Sequence, residues 1–298
     1  MSRSGYGSVF APGLFDGQVI IVTGGGTGIG RCIAHELASL GATPVLVGRH
    51  EQTLAATAGE IARAGGTADV VVADIRKPDE VAAVVSSTVE RRGRIHGLVN
   101  NAGGQFPSPA EKISSNGWRS VVDLNLTATF EMTQAVFNAS MSEHGGSIVS
   151  IVASMFNGFP GFAHSGAARA GVVNLTQSLA SEWASYGVRV NAVAPGIIAS
   201  SGLENYPVEV QATLAERARS VPARRAGNEA EVSSAVVFLL GPGAAYITGD
   251  TLRIDGASSL SAPAPRAGGR SLPEFSGFPL SPGVPAQWKD DDGTDAPS

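Results

Sequence analysis

The sequence predicts a doubly wound α/β fold, in which one open parallel sheet has helices on both faces. Short apolar runs rich in β-branched residues alternate with longer stretches of helical periodicity. The runs are nearly continuous rather than alternating with polar residues, which is typical of strands buried on both faces. Strands separated by helices favour right-handed parallel crossovers, and ligands then bind at the carboxyl ends of the strands.

Each element is placed by its residue types. Valine- and isoleucine-rich runs predict strands at residues 19–22, 44–47, 68–73, 97–99, 147–152, 188–193 and 250–254. Helical periodicity between them predicts helices at residues 31–40, 52–64, 78–91, 118–141, 166–186 and 229–240. Trp118, Trp183 and Phe137 lie at helical spacing and are expected in the core. These elements predict one domain over residues 13–260, after an N-terminal arm of residues 1–12.

Composition excludes several classes of protein. The chain has 21 basic and 26 acidic residues, a formal net charge of −5, which disfavours binding to nucleic acids or anionic membranes. Its apolar runs are shorter than the roughly 18 residues of a membrane span, and the first ten residues lack a secretion-signal pattern. The single cysteine, Cys32, excludes internal disulfides and cysteine-based metal sites; no metal is expected. The last three residues do not match a peroxisomal address, so we expect a cytoplasmic enzyme.

The composition changes near residue 261. Of the last 38 residues, seven are proline and five are glycine, a level typical of irregular segments. Residues 261–298 are therefore expected to form a tail that is either extended over a neighbouring surface or flexible. Its candidate anchors are Phe275, Phe278, Leu280 and Trp288. The acidic run Asp290-Asp291-Asp292 is interpreted as solvated surface.

A glycine cluster follows the first strand and opens the first helix. Gly24, Gly28 and Gly30 have the spacing G-x-x-x-G-x-G, and Thr27 and Ile29 lie among them. Glycine permits a tight turn and lets the backbone approach a pyrophosphate, which binds the free N–H groups of a helix N-terminus. A plain turn is the alternative, but the position between a strand and a helix favours a dinucleotide site.

The end of the second strand indicates which dinucleotide binds. Enzymes that prefer NAD usually have an acidic residue there, which accepts a hydrogen bond from the ribose 2′-hydroxyl. This chain has Gly48 and Arg49 instead, and a guanidinium binds the 2′-phosphate that a carboxylate repels. An ordinary surface cation is the alternative for Arg49. We expect NADP(H) as the cofactor.

Further segments lie at the ends of strands: Asp74-Ile75, Asn100-Asn101-Ala102-Gly103, Pro195-Gly196-Ile197-Ile198 and, before the last strand, Ile247-Thr248-Gly249. Together with the glycine turn they resemble the short-chain dehydrogenase/reductase family over roughly residues 13–258. The resemblance implies that the Asp74 segment contacts the adenine and that the Asn101 segment flanks the cofactor. It also implies that residues 195–198 lie against the nicotinamide amide and that the chain forms a homotetramer.

The motif that usually supplies the proton in this family is absent. In Tyr-x-x-x-Lys the lysine lowers the pKa of the phenol, which protonates a carbonyl oxygen. The chain has four tyrosines, Tyr6, Tyr186, Tyr206 and Tyr246, and none of them has a lysine four residues later. Aligned on the Ala-Gly after the motif, Ser165 takes the tyrosine place and Arg169 the lysine place. Val152-Ala153 replaces the strand serine, with Ser154 just after, and Asn125 matches the structural asparagine.

Two longer strings are more specific: His164-Ser165-Gly166-Ala167-Ala168-Arg169 and Asn101-Ala102-Gly103-Gly104-Gln105-Phe106-Pro107. They resemble the peroxisomal trans-2-enoyl-CoA and 2,4-dienoyl-CoA reductase branch of the family. That implies NADPH-dependent reduction of an α,β-unsaturated acyl thioester, most simply an acyl-CoA. Hydride added to Cβ spreads charge to an enolate oxygen, which needs hydrogen-bond donors. Ser165, Gln105 and Asn125 are the candidate donors, and Arg169 is expected to hold the nicotinamide ribose.

Two other functions remain open at this point. The first alternative is a carbonyl reductase in which His164 or Tyr206 is the acid. The second is a protein that binds NADP(H) without redox activity. Tyr206 lies in the segment that closes over substrate in the family. Structural roles compete at each residue, since His164 can be a core histidine, Tyr206 a packing aromatic and Ser165 a helix N-cap. The other histidines, His35, His50, His96 and His144, are expected on the surface.

Overall fold

A computed structural model of the protein describes residues 5–260, 271–285 and 288. The strands are β1 (Val19–Thr23), β2 (Thr43–Gly48), β3 (Asp69–Val72), β4 (Gly97–Asn100), β5 (Gly146–Ile151), β6 (Val188–Pro195), β7 (Ile198–Ala199), β8 (Gly227–Asn228) and β9 (Thr251–Ile254). Seven of them form one parallel sheet in the order β3-β2-β1-β4-β5-β6-β9, and β7 pairs with β8. The strand order reverses between β1 and β4, which opens a crevice at their carboxyl ends. The predicted doubly wound sheet is confirmed.

Helices connect the strands. They are α1 (Gly28–Ser39), α2 (Glu51–Arg63), α3 (Pro78–Arg92), α4 (Ser115–Val122), α5 (Ala128–Val136), α6 (Ser142–His144), α7 (Ala163–Trp183), α8 (Val208–Ser220) and α9 (Glu229–Leu240). The helix predicted at 118–141 is part of a longer helical stretch that includes two π-helical segments, Asp123–Thr127 and Phe137–Met141. Within the described residues, no helix has both the length and the apolar character needed to cross a membrane.

Helix α8 is absent from the sequence prediction. The residues that it fully buries are two alanines, Ala215 and Ala218. Its large apolar residues are limited to Val208, Val210 and Leu214, which give only a weak signal of helical periodicity. We call residues 198–226, from β7 through α8 to the residue before β8, the cap segment.

The core occupies both faces of the sheet because alternate residues of each strand point to opposite sides. All five residues of β1 are buried. Ile21 belongs to the core on the face covered by α3, α5 and α7, where it shares a cluster with Val84, Met132 and Leu179. Ile20 and Val22 belong to the core on the other face, formed with α1 and α9. The two clusters fix the sheet between two helical layers.

The core predictions for aromatic residues are partly wrong. Trp183 is buried and stacks on Phe137 with 3.9 Å between ring centroids. Trp118 is 43% exposed, because it lies on the outer face of α4. Helical spacing identifies a shared face but does not say whether another element covers it.

The described part of the tail packs against the domain. Phe278 stacks on Tyr6 of the N-terminal arm, with 5.3 Å between ring centroids, and its centroid lies 4.2 Å from that of His35. Leu280 and Trp288 pack against the cap segment, and Phe275 is half-buried. His35 is buried, so its expected surface position is wrong because the tail covers it. The acidic run Asp290-Asp291-Asp292 lies outside the described residues.

Candidate active site

The glycine turn joins β1 to α1 by close backbone contacts. Gly24 and Gly28 have φ values of +66° and +55°, a region that glycine adopts without the steric cost of a Cβ. A Cβ on Gly30 would overlap the carbonyl oxygen of Gly24 and lie 2.5 Å from Asn101 Nδ2. Asn101 Nδ2 also donates to the Thr23 carbonyl oxygen over 2.9 Å. The turn therefore needs these glycines, and it is held to the end of β4.

The first turn of α1 has the chemistry to bind a diphosphate. Thr27 is the N-cap residue, it is exposed, and its side chain caps no N–H group among the described residues. The first backbone N–H groups of a helix have no intrahelical partner and lie at the positive end of the helix dipole. A Cβ on Gly28 would have Ser201 Oγ, 3.6 Å away, as its nearest contact. These residues fit the pyrophosphate of a dinucleotide.

Two guanidinium groups lie near the carboxyl ends of β2 and β3, where the adenosine is predicted to bind. Arg49 is exposed at the end of β2. Asp74, after β3, is paired with Arg76 over 2.5 Å. The Arg76 hydrogen bonds lower the pKa of Asp74 to about 2, and the positive charge of Arg49 acts in the same direction. Ile75 is buried in the core, so only its backbone is available to an adenine.

Three polar side chains form a hydrogen-bonded chain at the carboxyl edge of the sheet. Ser165 Oγ donates to Gln105 Oε1 over 2.6 Å. Gln105 Nε2 donates to the Tyr206 hydroxyl over 2.8 Å. The three residues come from α7, the loop after β4 and the cap segment. The fold thus brings together three of the six candidate catalytic residues.

Arg169 lies one helical turn after Ser165 in α7. Its Nη1 donates to the carbonyl oxygen of Ile151 at the end of β5, and a Cβ on Gly103 would lie 2.7 Å from its Nη2. Burial lowers the pKa of Arg169 to about 10, partly offset by Tyr206. The guanidinium keeps its charge at neutral pH and is held between β5 and the Gly103 segment.

Asn125 uses its side chain to fix the loop after β4. Its Nδ2 donates to the carbonyl oxygens of Gly104 and Val121, over 2.7 Å each, and its Oδ1 accepts from the Gly104 N–H over 3.2 Å. Both amide hydrogens are therefore engaged in this conformation. Asn125 holds the residue next to Gln105, and it does not present a free donor.

Tyr206 is the candidate acid that the geometry favours. Its hydroxyl accepts the Gln105 hydrogen bond, so its own proton is available to a further acceptor. Burial raises the pKa of Tyr206, whereas the Gln105 hydrogen bond and the Arg169 charge lower it. The net pKa is raised, and the phenol stays protonated at neutral pH. Its ring packs edge-on against Phe162, 6.0 Å between centroids.

His164 and Ser154 are placed differently. His164 is fully buried, its ring lies edge-on to Phe106 at 4.5 Å, and neither ring nitrogen has a hydrogen-bond partner among the described residues. Ser154 Oγ donates to Asp255 Oδ2 over 2.8 Å, so its proton is engaged there. The N-cap interpretation of Ser165 is wrong, because α7 begins at Ala163 after Phe162 and Ser165 is its third residue.

The segment predicted to lie against the nicotinamide follows β6. The Gly196 N–H donates to the carbonyl oxygen of Ile254 over 2.9 Å, and a Cβ on Gly196 would lie 2.9 Å from Asp255 Cα. This close approach turns the chain after Pro195 and leads through Ile197 and Ile198 into the cap segment. The predicted cofactor segments therefore meet along one edge of the sheet.

Sequence reasoning overlooked Arg76 and Phe162. A basic residue two positions after Asp74 was a readable signal for Arg76, because such spacing lets the two side chains pair in a turn. Phe162 gave no comparable signal, since an aromatic residue before a helix has many structural roles.

Comparisons with known proteins identify similar chains. A family model described as enoyl-(acyl carrier protein) reductase matches residues 24–258. A peroxisomal 2,4-dienoyl-CoA reductase [(3E)-enoyl-CoA-producing] from Danio rerio is 37% identical over 263 residues, covering 86% of each chain.

Solved structures show the same fold. The citronellol catabolism dehydrogenase AtuB from Pseudomonas aeruginosa PAO1 is 52% identical, with a TM-score of 0.78, and the match covers 86% of this chain and all of that one. An NAD(P) dependent gluconate 5-dehydrogenase from Beutenbergia cavernae, with NADP bound at low occupancy, is 36% identical, with a TM-score of 0.78 over 84% of this chain and all of that one. With its sheet order, glycine turn and matches over most of its length, the chain belongs to the short-chain dehydrogenase/reductase family.

Proposed function

We propose that the protein is an NADP(H)-dependent reductase of an α,β-unsaturated acyl thioester of the enoyl-CoA type. The observation that carries the proposal is the Ser165–Gln105–Tyr206 chain, which presents a protonated phenol beside Arg169 in a chain without Tyr-x-x-x-Lys. The Danio rerio relative, named as a 2,4-dienoyl-CoA reductase, supports the thioester substrate.

Each residue has a role that follows from its contacts. When bound, NADPH would supply the hydride that adds to Cβ of an enoyl thioester. Arg169 holds the nicotinamide ribose and adds positive charge where negative charge develops. Tyr206 donates its O–H to the thioester oxygen and stabilises the enolate, while Cα takes its proton from water. Gln105 orients the phenol, and Ser165 orients Gln105. Asn125 acts on the loop and not on substrate.

NADP(H) is favoured over NAD(H) by charge. Arg49 lies at the end of β2, where the sequence has no carboxylate. Arg76 adds a second guanidinium close by, although Asp74 neutralises part of its charge. A 2′-phosphate accepts charge-assisted hydrogen bonds from such groups.

Carbonyl or alcohol chemistry is the second candidate. The 52% identical solved structure is named as a dehydrogenase of citronellol catabolism, which favours an acyclic, branched aldehyde or alcohol. The same Tyr206 phenol would then protonate a carbonyl oxygen. Binding of NADP(H) without redox activity is the third.

One substrate panel separates these functions. NADPH oxidation is measured with crotonyl-CoA, a longer enoyl-CoA, a 2,4-dienoyl-CoA, a 3-ketoacyl-CoA and citronellal. We expect oxidation with an enoyl- or dienoyl-CoA. Oxidation with the ketoacyl-CoA or citronellal alone would contradict the leading proposal. Tight NADPH binding with no oxidation of any of the five would indicate a binding protein.

The first prediction concerns Tyr206. Tyr206→Phe removes the O–H and leaves the ring, so we expect kcat for the best thioester to fall by about 10²-fold while NADPH affinity is unchanged. Tyr246→Phe is the matched control, since Tyr246 is fully exposed and should keep wild-type turnover. Full activity of Tyr206→Phe would remove Tyr206 from the mechanism and leave His164 as the next candidate acid.

A further inference from the structure

The described tail residues 271–285 and 288, which we call the C-terminal segment, lie outside the stretch matched by the family model, which ends at residue 258. This segment completes an apolar cluster with the cap segment. Val284 and Trp288 are buried against Ala199, Leu203, Ala215 and Ala218, and Tyr206 and Leu280 pack against the same cluster.

The cluster combines small side chains of α8 with larger side chains from elsewhere in the chain. The residues that α8 buries are alanines, and alanine offers little apolar surface. The large side chains that cover them include Trp288, which is 9% exposed, and Val284, which is 2% exposed. The C-terminal segment therefore supplies Trp288 and Val284 to a cluster in which the cap segment itself contributes Leu203 and Leu214.

A second contact fixes the C-terminal segment to the domain. The N–H and Oγ of Ser281 both donate to Glu229 Oε2, over 3.1 and 2.9 Å. Glu229 is the first residue of α9 and is 1% exposed. Its Oε1 has no hydrogen-bond partner among the described residues, and it would lie 3.8 Å from a Cβ on Gly28. The segment is thus bonded to a residue that lies next to the glycine turn, and it also packs on the cap segment.

Two further hydrogen bonds hold the C-terminal segment, one to the N-terminal arm and one to β8. The Gly7 N–H donates to the carbonyl oxygen of Gly277 over 2.7 Å, and the Asn228 Nδ2 donates to Glu274 Oε1 over 2.7 Å. With these bonds on one side and Trp288 on the other, the C-terminal segment has a defined path from α1 to the cap segment.

We propose that Trp288 is a positioning residue for the reaction, because it holds the cap segment so that the Tyr206 hydroxyl stays within hydrogen-bond reach of Gln105. This inference rests on the proposed role of Tyr206 as the acid. Trp288 touches the cluster on which the Tyr206 ring packs, and the Tyr206 hydroxyl meets Gln105 at 2.8 Å. Movement of α8 would lengthen that hydrogen bond and misalign the phenol, whereas Arg49 and the glycine turn lie outside the cluster.

A double-mutant cycle in the full-length chain tests the inference. Trp288→Ala should lower kcat about tenfold, as expected for a coupled pair of this kind, and leave the Kd for NADPH within about twofold. In the Tyr206→Phe background, Trp288→Ala should cause no further loss of kcat, since the group that it positions is already absent. Trp288→Phe, which keeps an aromatic ring at this position, should retain most of the wild-type kcat. Leu272→Ala, at an exposed position of the same segment, should match the wild type.

The outcomes separate the two proposals. An equal loss on adding Trp288→Ala to the wild type and to Tyr206→Phe would show a general structural role and overturn the inference. Wild-type kcat of Trp288→Ala would also overturn it. Full activity of Tyr206→Phe would refute the proposed acid instead. If Trp288→Ala does not fold, Ser281→Ala enters the same cycle, because it loosens the segment by removing one hydrogen bond to Glu229.

Discussion

Arg49 is the residue on which the proposed choice of cofactor depends. Its guanidinium is exposed at the end of β2, whereas the nearby guanidinium of Arg76 is already bound to Asp74. A charge-assisted contact to a phosphate contributes roughly 1.5–3 kcal/mol, or about ten- to a hundredfold in affinity. We expect Arg49 to contribute in this range to NADPH binding and little to NADH binding.

Arg49→Ala should therefore raise the Kd for NADPH about ten- to a hundredfold and change the Kd for NADH little. Fluorescence titration of both dinucleotides measures the two constants. Arg63→Ala, at an exposed arginine at the end of α2, is the control and should change neither constant. Equal affinity of the unmutated protein for NADPH and NADH would show that Arg49 does not select the cofactor.

Arg169 illustrates a different use of the same side chain. The resemblance places it at the family's lysine, and its guanidinium bonds the end of β5 rather than another side chain. An arginine gives a fixed planar fork where a lysine gives a movable point charge. The proposed acid and the cation therefore come from different elements, since Tyr206 lies in the cap segment and Arg169 in α7.

At the scale of elements, a glycine in α1 and a glycine in α2 differ in the space that is available for a Cβ. Gly30 in α1 has no room for a Cβ, because Gly24 and Asn101 occupy that space. Gly59 in α2 has room, with only Arg63 Nη1 at 3.4 Å. Alanine is favoured over glycine inside a helix by about 1 kcal/mol, but only where the Cβ fits.

We expect Gly30→Ala to lose NADPH binding and to lower the free energy of unfolding, and Gly59→Ala to raise that free energy by about 0.5–1 kcal/mol. Urea denaturation and NADPH titration of the pair provide the comparison, with each variant the control for the other. Normal NADPH affinity of Gly30→Ala would show that the glycine turn tolerates a Cβ at this position, despite the close approach of Gly24 and Asn101.

At the scale of the whole molecule, exposed aromatic residues on one helical stretch suggest an assembly. Trp118 on α4 is 43% exposed and Phe130 on α5 is 37% exposed. We propose that these two side chains lie between copies of the chain, in line with the homotetramer implied by the family resemblance. Such a contact buries apolar area that a monomer leaves in water.

Light scattering should give four times the monomer mass of 30.3 kDa for the wild type. Phe130→Asp should shift the protein to a smaller assembly, because a carboxylate in an apolar contact is left without a partner. Val9→Asp, at an exposed apolar residue of the N-terminal arm, should leave the mass unchanged. A monomer of the unmutated protein at working concentration would contradict the proposed assembly.

The sequence by itself determined the sheet, the glycine turn and the segments that follow the strands. These features depend on neighbouring residues, since a buried parallel strand needs a local apolar run and a pyrophosphate turn needs glycines at short spacing. Ser165 and Arg169 were placed on one face of α7 for the same reason, because residues four apart in a helix lie together.

Only the tertiary structure decided which candidate acid meets the other polar residues. Tyr206 and Gln105 are 101 residues apart in the chain, and no local periodicity relates them. The burial of His35 beneath Phe278 and the packing of Trp288 on the cap segment likewise join distant parts of the chain. The cap segment itself was missed because the residues that its helix fully buries are alanines, and side chains of the tail complete its apolar cluster.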